Sequence, residues 1–207
     1  MEHKGIIVGI TGQSGAGKTA VSAMLAARGY PVIDADLVAR QVVAKGSKCT
    51  LDLAVEFGIE ILNVDGTLNR RKLGSIVFTD KKKRMRLNRI TFPYIQEEIF
   101  LQVEGLRKKG EDVIFLDAPT LIESGTHKRC DKVVSVIAPL ELRVRRIIQR
   151  DELTREEAMQ RISAQHGDAY YTSRSDFVIE NSGDIDGLRE KVAQLIGRCC
   201  PDQQKEE

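Results

Sequence analysis

Gly12-Gln13-Ser14-Gly15-Ala16-Gly17-Lys18-Thr19 fits G-x-x-x-x-G-K-[ST], the phosphate-binding P-loop. It follows an apolar run, Ile6-Ile7-Val8-Gly9-Ile10, which reads as a buried strand. It precedes Ala20-Val21-Ser22-Ala23-Met24-Leu25-Ala26-Ala27, which reads as a helix. Strand, glycine loop and helix is the context the motif requires. The loop's N–H groups converge on phosphate oxygens, and the helix N-terminus adds partial positive charge. Lys18 brings a point charge to the β/γ-phosphates, and the Thr19 hydroxyl is a hard oxygen ligand suited to Mg²⁺.

Further apolar runs alternate with helical stretches: Pro31-Val32-Ile33, Val113-Ile114-Phe115-Leu116, Val133-Val134-Ser135-Val136-Ile137 and Phe177-Val178-Ile179. This alternation predicts an α/β fold with a parallel sheet covered on both faces by helices. The long interval from Leu37 to Gly110 reads as a helical insertion, with helices over Leu51 to Phe57, Arg70 to Phe78 and Lys82 to Lys109. Pro93 is expected to kink or split the last of these. A second helical stretch runs from Leu140 to Gln165, where Thr154-Arg155-Glu156-Glu157 forms a capping box that starts a new helix. The final helix spans Ile185 to Ile196, followed by a polar tail from Pro201.

The chain has 207 residues, 42% hydrophobic and 30% charged, with a formal net charge of +2. That is an ordinary globular composition, and its charge gives no footprint for nucleic acid. No apolar run reaches the length of a membrane span, and Met1-Glu2-His3-Lys4 leads directly into the first strand, so neither membrane insertion nor a signal peptide is expected. Cys49, Cys130, Cys199 and Cys200 form no C-x-x-C pair, which argues against a zinc site or disulfide framework and for a reducing, cytoplasmic setting.

A P-loop alone implies nucleotide binding, and other residues narrow the chemistry. Asp34-Ala35-Asp36 follows the second strand, where ligands of parallel sheets bind beyond the carboxyl ends. One carboxylate could orient or deprotonate an attacking hydroxyl and the other hold Mg²⁺ through water; alternatively, Asp36 caps the helix that begins at Leu37. Asp117 closes the third strand in the Walker-B manner and is a candidate metal or loop-organising residue. Arg143, Arg145, Arg146, Arg150, Arg155 and Arg161 crowd one segment. Arg146 and Arg150 share a helix face and suit a lid that stabilises a transferring phosphoryl group; the remainder read as a solvated face paired with Asp151, Glu152, Glu156 and Glu157. The basic run Lys81 to Arg86 reads as a solvated helix face or as a contact for an anionic substrate, and His127 and His166 have no ligand set around them.

Together these pieces resemble the dephospho-coenzyme A kinase family over nearly the whole chain. The resemblance is carried by the P-loop with Val32-Ile33-Asp34-Ala35-Asp36 and Ala39-Arg40-Gln41-Val42-Val43. It continues through Phe57-Gly58, Asp65-Gly66-Thr67-Leu68 with Arg70, Val77-Phe78-Thr79-Asp80, Leu87-Asn88 and Pro93. It ends with Leu116-Asp117-Ala118-Pro119, Leu121 and Glu123, then Arg146 with Arg150-Asp151, Arg161-Ile162 with Gln165, and Asp176 to Gly183.

The resemblance implies a three-layer αβα P-loop kinase with a five-stranded parallel sheet, a helical substrate-binding insertion and a lid. The single domain would span 1–200, with a core of 1–36, 111–140 and 175–200, an insertion near 37–110, a lid near 141–174 and a tail at 201–207. It implies ATP-dependent phosphorylation of the ribose 3′-hydroxyl of dephospho-coenzyme A, the last step of coenzyme A biosynthesis. Asp34, Lys18 and Arg146 would be catalytic. Gly12, Gly15, Ala16, Gly17, Lys18, Thr19, Ala20, Arg150, Asn181 and Gly183 would bind ATP, the last two near the adenine. Asp34, Asp36, Arg40, Asn88, Pro93, Leu121 and Glu123 would bind the acceptor, and Thr19 with Asp117 would hold Mg²⁺, mostly through water. No nucleic acid, membrane or protein partner is implied.

This chain has Phe92 where the family usually has histidine, and Tyr171 and Thr172 near positions that commonly carry lysine or arginine; Arg174 is a possible substitute. Arg143 stands where a glutamine is often found. The alternatives are a P-loop kinase acting on a nucleoside or nucleotide, a GTPase switch and a non-catalytic nucleotide binder. The switch lacks an Asn-Lys-x-Asp motif, and intact Lys18, Thr19 and Asp34 weigh against the binder.

Overall fold

Five of the apolar runs become strands: β1 Ile6–Gly12, β2 Val32–Asp34, β3 Val113–Asp117, β4 Lys132–Ile137 and β5 Phe177–Glu180. Nine helices accompany them among the described residues: α1 Lys18–Ala26, α2 Ala35–Gln41, α3 Lys48–Phe57, α4 Arg70–Val77, α5 Lys81–Lys108, α6 Leu140–Asp151, α7 Arg155–Ser163, α8 Asp168–Thr172 and α9 Ile185–Cys199. The computed structural model describes residues 5–77 and 80–199. The readings that rest on Met1 to Lys4, Phe78, Thr79, Cys200 and the tail lie outside them. The chain divides into two compact units, one formed by residues 34–105 and the other by 1–33 with 106–207.

The larger unit is built on the sheet, whose strand order is β2-β3-β1-β4-β5. β1 pairs in parallel with both β3 and β4, and β4 with β5, in a register that sets Gly9 beside Leu116 and Gly12 beside Val136. The strands are apolar at consecutive positions because both faces are covered. On one face Val8 and Ile10 pack with Val21 and Leu25 of α1 and with Leu188, Val192 and Leu195 of α9. On the other, Leu121 is fully buried against β1 at Gly9. α6 and α7 join through Val144, Ile147 and Ala158. The capping box forms as expected: Glu157 N–H donates to Thr154 Oγ1 (3.2 Å), and Thr154 N–H to Glu157 Oε2 (2.8 Å). These bonds hold the Glu157 carboxyl below its ordinary range.

The smaller unit has its own core of Val43, Cys49, Leu53, Ile61, Leu73 and Val77. Ser47 caps α3 by accepting from Thr50 N–H at 3.2 Å. The Tyr94 hydroxyl of α5 donates to Asp52 of α3 at 2.5 Å. Cys49 and Cys130 are free thiols. Burial pushes Cys49 up to about 11 and Cys130 to about 12, so neither is a thiolate at neutral pH.

Of the two outcomes expected at Pro93, a kink or a split, the split does not occur. α5 runs unbroken from Lys81 to Lys108 with Pro93 inside it. The lost N–H leaves one backbone carbonyl without its partner, yet neighbouring turns and the anchor at Tyr94 hold the helix through that point. Pro93 is itself exposed, so its pyrrolidine contributes little packing. Pro93→Ala is therefore expected to raise stability by about 1–3 kcal/mol, read as a higher midpoint in thermal unfolding.

Candidate active site

The loop between β1 and α1 is shaped from behind. Arg143 Nε donates to the Ser14 carbonyl at 3.0 Å. Arg146 Nη1 donates to the carbonyls of Gly15 and Ala16, both at 3.3 Å. Asn181 Nδ2 donates to the Ala16 carbonyl at 2.8 Å, and Arg146 Nη2 donates to Asn181 Oδ1 at 3.3 Å. In a trans peptide the C=O and the following N–H point in opposite directions. Holding three successive carbonyls on one side therefore turns N–H groups to the other. Ala16 N–H closes the turn onto Gln13 O (3.1 Å), while those of Gly15 and Gly17 have no protein acceptor among the described residues. They project beside the N-terminus of α1 and make an anion cradle.

Two glycines are obligatory here. Gly15 (φ 79°) and Gly17 (φ 98°) lie in the left-handed region. A Cβ on Gly15 would approach Arg143 O to 2.7 Å, and one on Gly17 would strike the Asn181 amide.

Lys18 forms an ion pair with Asp117. Ser22 Oγ donates to the other Asp117 oxygen at 2.5 Å. Ser22 is one helical turn beyond Lys18, so both reach the same carboxylate. Thr19 is exposed in the first turn of α1, and Ala20 N–H closes that turn onto Gly17 O. Gly12 ends β1 beside Val136, whose carbonyl would collide with any Cβ there. Asn181 is 5% exposed, and Gly183 follows it at the surface.

The loop before α8 meets the P-loop's front. Ser14 N–H donates to Gln165 Oε1 at 2.9 Å, and Gln13 Nε2 to His166 O at 3.0 Å. Tyr171 is fully buried and its hydroxyl donates to the exposed Glu123 at 3.2 Å. Burial and that carboxylate raise the phenol's pKa. Arg174 is exposed, donates to Tyr170 O and stacks on the Tyr170 ring at 4.4 Å.

Several residues sit differently from expectation. Arg146 is bonded to the back of the P-loop, and burial lowers its guanidinium pKa. Arg150 instead lies exposed in a bidentate pair with Asp151 (2.8 and 2.7 Å), which also accepts from Arg161 at 2.6 Å. The residue that joins Arg146 is Arg143, three positions earlier on the same face, a spacing visible in the sequence. Leu121 is wholly interior, beneath the loop after β3.

Within the smaller unit, the N-cap of α2 is Asp34 rather than Asp36. Asp34 Oδ1 accepts from Asp36 N–H (2.8 Å) and Leu37 N–H (3.2 Å). Asp36 and Arg40 lie exposed in the first and last turns of α2, and the Arg40 carbonyl accepts from Arg70 at 3.4 Å. Asn88 is half-buried on α5.

The chain is similar to known proteins over nearly its whole length. The sequence model of the family described as dephospho-CoA kinase matches residues 6–187. A dephospho-CoA kinase of Listeria monocytogenes is 39% identical over 194 residues, 94% of this chain and 97% of that protein. Among solved structures, TT1252 from Thermus thermophilus is similar with a TM-score of 0.78 at 32% identity, over 94% of this chain and 97% of that one. The dephospho-CoA kinase from Campylobacter jejuni is similar with a TM-score of 0.71 at 26% identity, over 96% and 98%.

Gly17→Ala forces a left-handed residue to carry a Cβ and drives it into Asn181. It is expected to weaken nucleotide binding by about ten-fold or more, since strain of this kind costs about 1–3 kcal/mol, as read by titration with a fluorescent ATP analogue.

Proposed function

The chain belongs to the dephospho-CoA kinase family, and from that premise we propose how its residues divide the reaction. The enzyme transfers the γ-phosphoryl group of ATP to the ribose 3′-hydroxyl of dephospho-CoA, the last step of coenzyme A biosynthesis. The observation that carries the division of labour is the P-loop held from behind by Arg146 and Asn181, with Lys18 beside it.

ATP takes the donor half. Gly12, Gly15, Ala16, Gly17, Thr19 and Ala20 shape the cradle, and the Gly15 and Gly17 N–H groups receive phosphate oxygens. Lys18 exchanges Asp117 for the β/γ-phosphates when nucleotide arrives; a flexible stem and a compact charge suit that movement. Asn181 and Gly183 border the adenine end. Arg146 acts through the loop it braces, and Arg150 lends charge from the segment near 141–174, which serves as the lid.

The donor set also fits Mg²⁺. Thr19 offers an exposed hydroxyl in the first helical turn, and Asp117 offers a carboxylate already gathered with Lys18 and Ser22. Mg²⁺ accepts one or two such oxygens and completes its shell with phosphate and water. When bound it neutralises charge on the phosphates.

The helical unit supplies the acceptor half. Asp34 Oδ1 is engaged in capping α2, and no bond reaches Oδ2 among the described residues. That oxygen takes the proton of the 3′-hydroxyl. As it does so, the hydroxyl oxygen bonds the γ-phosphorus, the bond to the β-phosphate oxygen breaks, and ADP leaves. The cap holds the carboxylate at one angle, which suits a reaction governed by positioning. Asp36, Arg40, Asn88, Pro93 and Glu123 contact dephospho-CoA, with Tyr171 orienting Glu123. Among the described residues no helix is long and apolar enough to cross a membrane, and a cytoplasmic site of action accords with that and with this metabolic role.

Asn caps helices as well as Asp. Asp34→Asn should therefore leave thermal stability and ATP affinity near wild type while lowering turnover by about 10²–10⁴-fold. Near-normal turnover would rule out Asp34 as the base. Assaying ATP consumption against dephospho-CoA and a panel of nucleosides and nucleoside monophosphates checks the acceptor, with dephospho-CoA expected as the preferred substrate.

A further inference from the structure

We propose that Arg143 is a positioning residue for phosphoryl transfer, a buried cation that fixes the Ser14–Gly15 peptide and strengthens its N–H toward phosphate. The inference rests on the P-loop reading above but adds a residue outside it.

Arg143 is 4% exposed, less than any other described Lys or Arg. Its Nε holds the Ser14 carbonyl at 3.0 Å. Its Nη2 is buried without a hydrogen-bond partner, and no ion pair neutralises the guanidinium among the described residues. The groups facing it are Asp168 and the Tyr171 hydroxyl, which attract it from beyond ion-pair distance, and burial lowers its pKa. An uncompensated buried charge is costly, and a neutral side chain of similar length would fill the same space more cheaply. Packing alone therefore does not explain a cation here.

The peptide it touches explains the charge. Ser14 C=O and Gly15 N–H belong to one planar unit, so a full positive charge on the oxygen side polarises the N–H on the other. The backbone of α6 lies directly against Gly15, which keeps the geometry tight. In a low-dielectric setting this charge also adds to the potential felt by phosphate in the cradle, where it is poorly screened.

The test compares Arg143→Met with Arg143→Lys by calorimetric ATP binding, steady-state kinetics and thermal unfolding. Arg143→Met should lose about ten-fold or more in ATP affinity and in kcat/KM for ATP, the effect of one charge-assisted hydrogen bond. Its thermal midpoint should stay level or rise, because an unpaired buried charge has been removed. Arg143→Lys restores the charge without the planar fork and should recover part of the affinity. Wild-type ATP affinity in Arg143→Met would overturn the proposal. So would equal weakness in both variants, or a loss of binding matched by a fall in thermal midpoint in both. If Arg143→Met does not fold, Arg143→Gln takes its place in the same comparison. Lys18→Ala serves as the control: retained turnover there would sink the P-loop reading itself, a failure distinct from this one.

Discussion

Three backbone carbonyls, those of Ser14, Gly15 and Ala16, are tied to side chains that reach in from elsewhere in the fold. The rest of the site depends on this constraint. A glycine-rich loop is free to adopt many shapes, and ordering it costs entropy. Arg143, Arg146 and Asn181 offset that cost and select the shape in which free N–H groups converge on one side. In the proposed reading the loop is thereby pre-organised for phosphate, as electrostatic catalysis requires.

The same economy appears at Asp34, where one carboxylate oxygen caps a helix and the other, in the role proposed for it, takes the acceptor's proton. Capping ties Oδ1 to two N–H groups of α2 and removes the freedom that would blur the position of Oδ2. Lys18 and Asp117 show the complementary arrangement. Their ion pair keeps a cation and a carboxylate gathered at the foot of the P-loop, with Ser22 fixing the carboxylate's second oxygen.

Much of this was legible in the chain itself. The five strands fall on the five apolar runs, because strands covered on both faces admit few polar residues. The start of α7 was readable from its capping box, since both bonds are local. What escaped reading was non-local. Pro93 leaves a kink and a split both open, and only the fold shows that α5 continues past it, because its surroundings outweigh one missing backbone bond. Leu121 matches a family position, but only packing against β1 shows it to be interior. Spacing sets Arg146 beside Arg143 as readily as beside Arg150, and only the fold shows that Arg143 joins it at the P-loop.

The sequence by itself carried the phosphate-loop motif, the candidate site residues and the order of elements. The P-loop, Asp34, Asp117 and the Asn181 segment carry their identity in short spacings that owe little to the remainder of the chain. Tertiary structure decided the strand order β2-β3-β1-β4-β5 and the partners of each arginine. It also decided that a residue resembling a surface charge, Arg143, is buried behind the phosphate loop. The reason is physical: local pattern governs which face of a helix is apolar, whereas the burial of one charge depends on what distant segments, here Ser14 and Tyr171, bring against it.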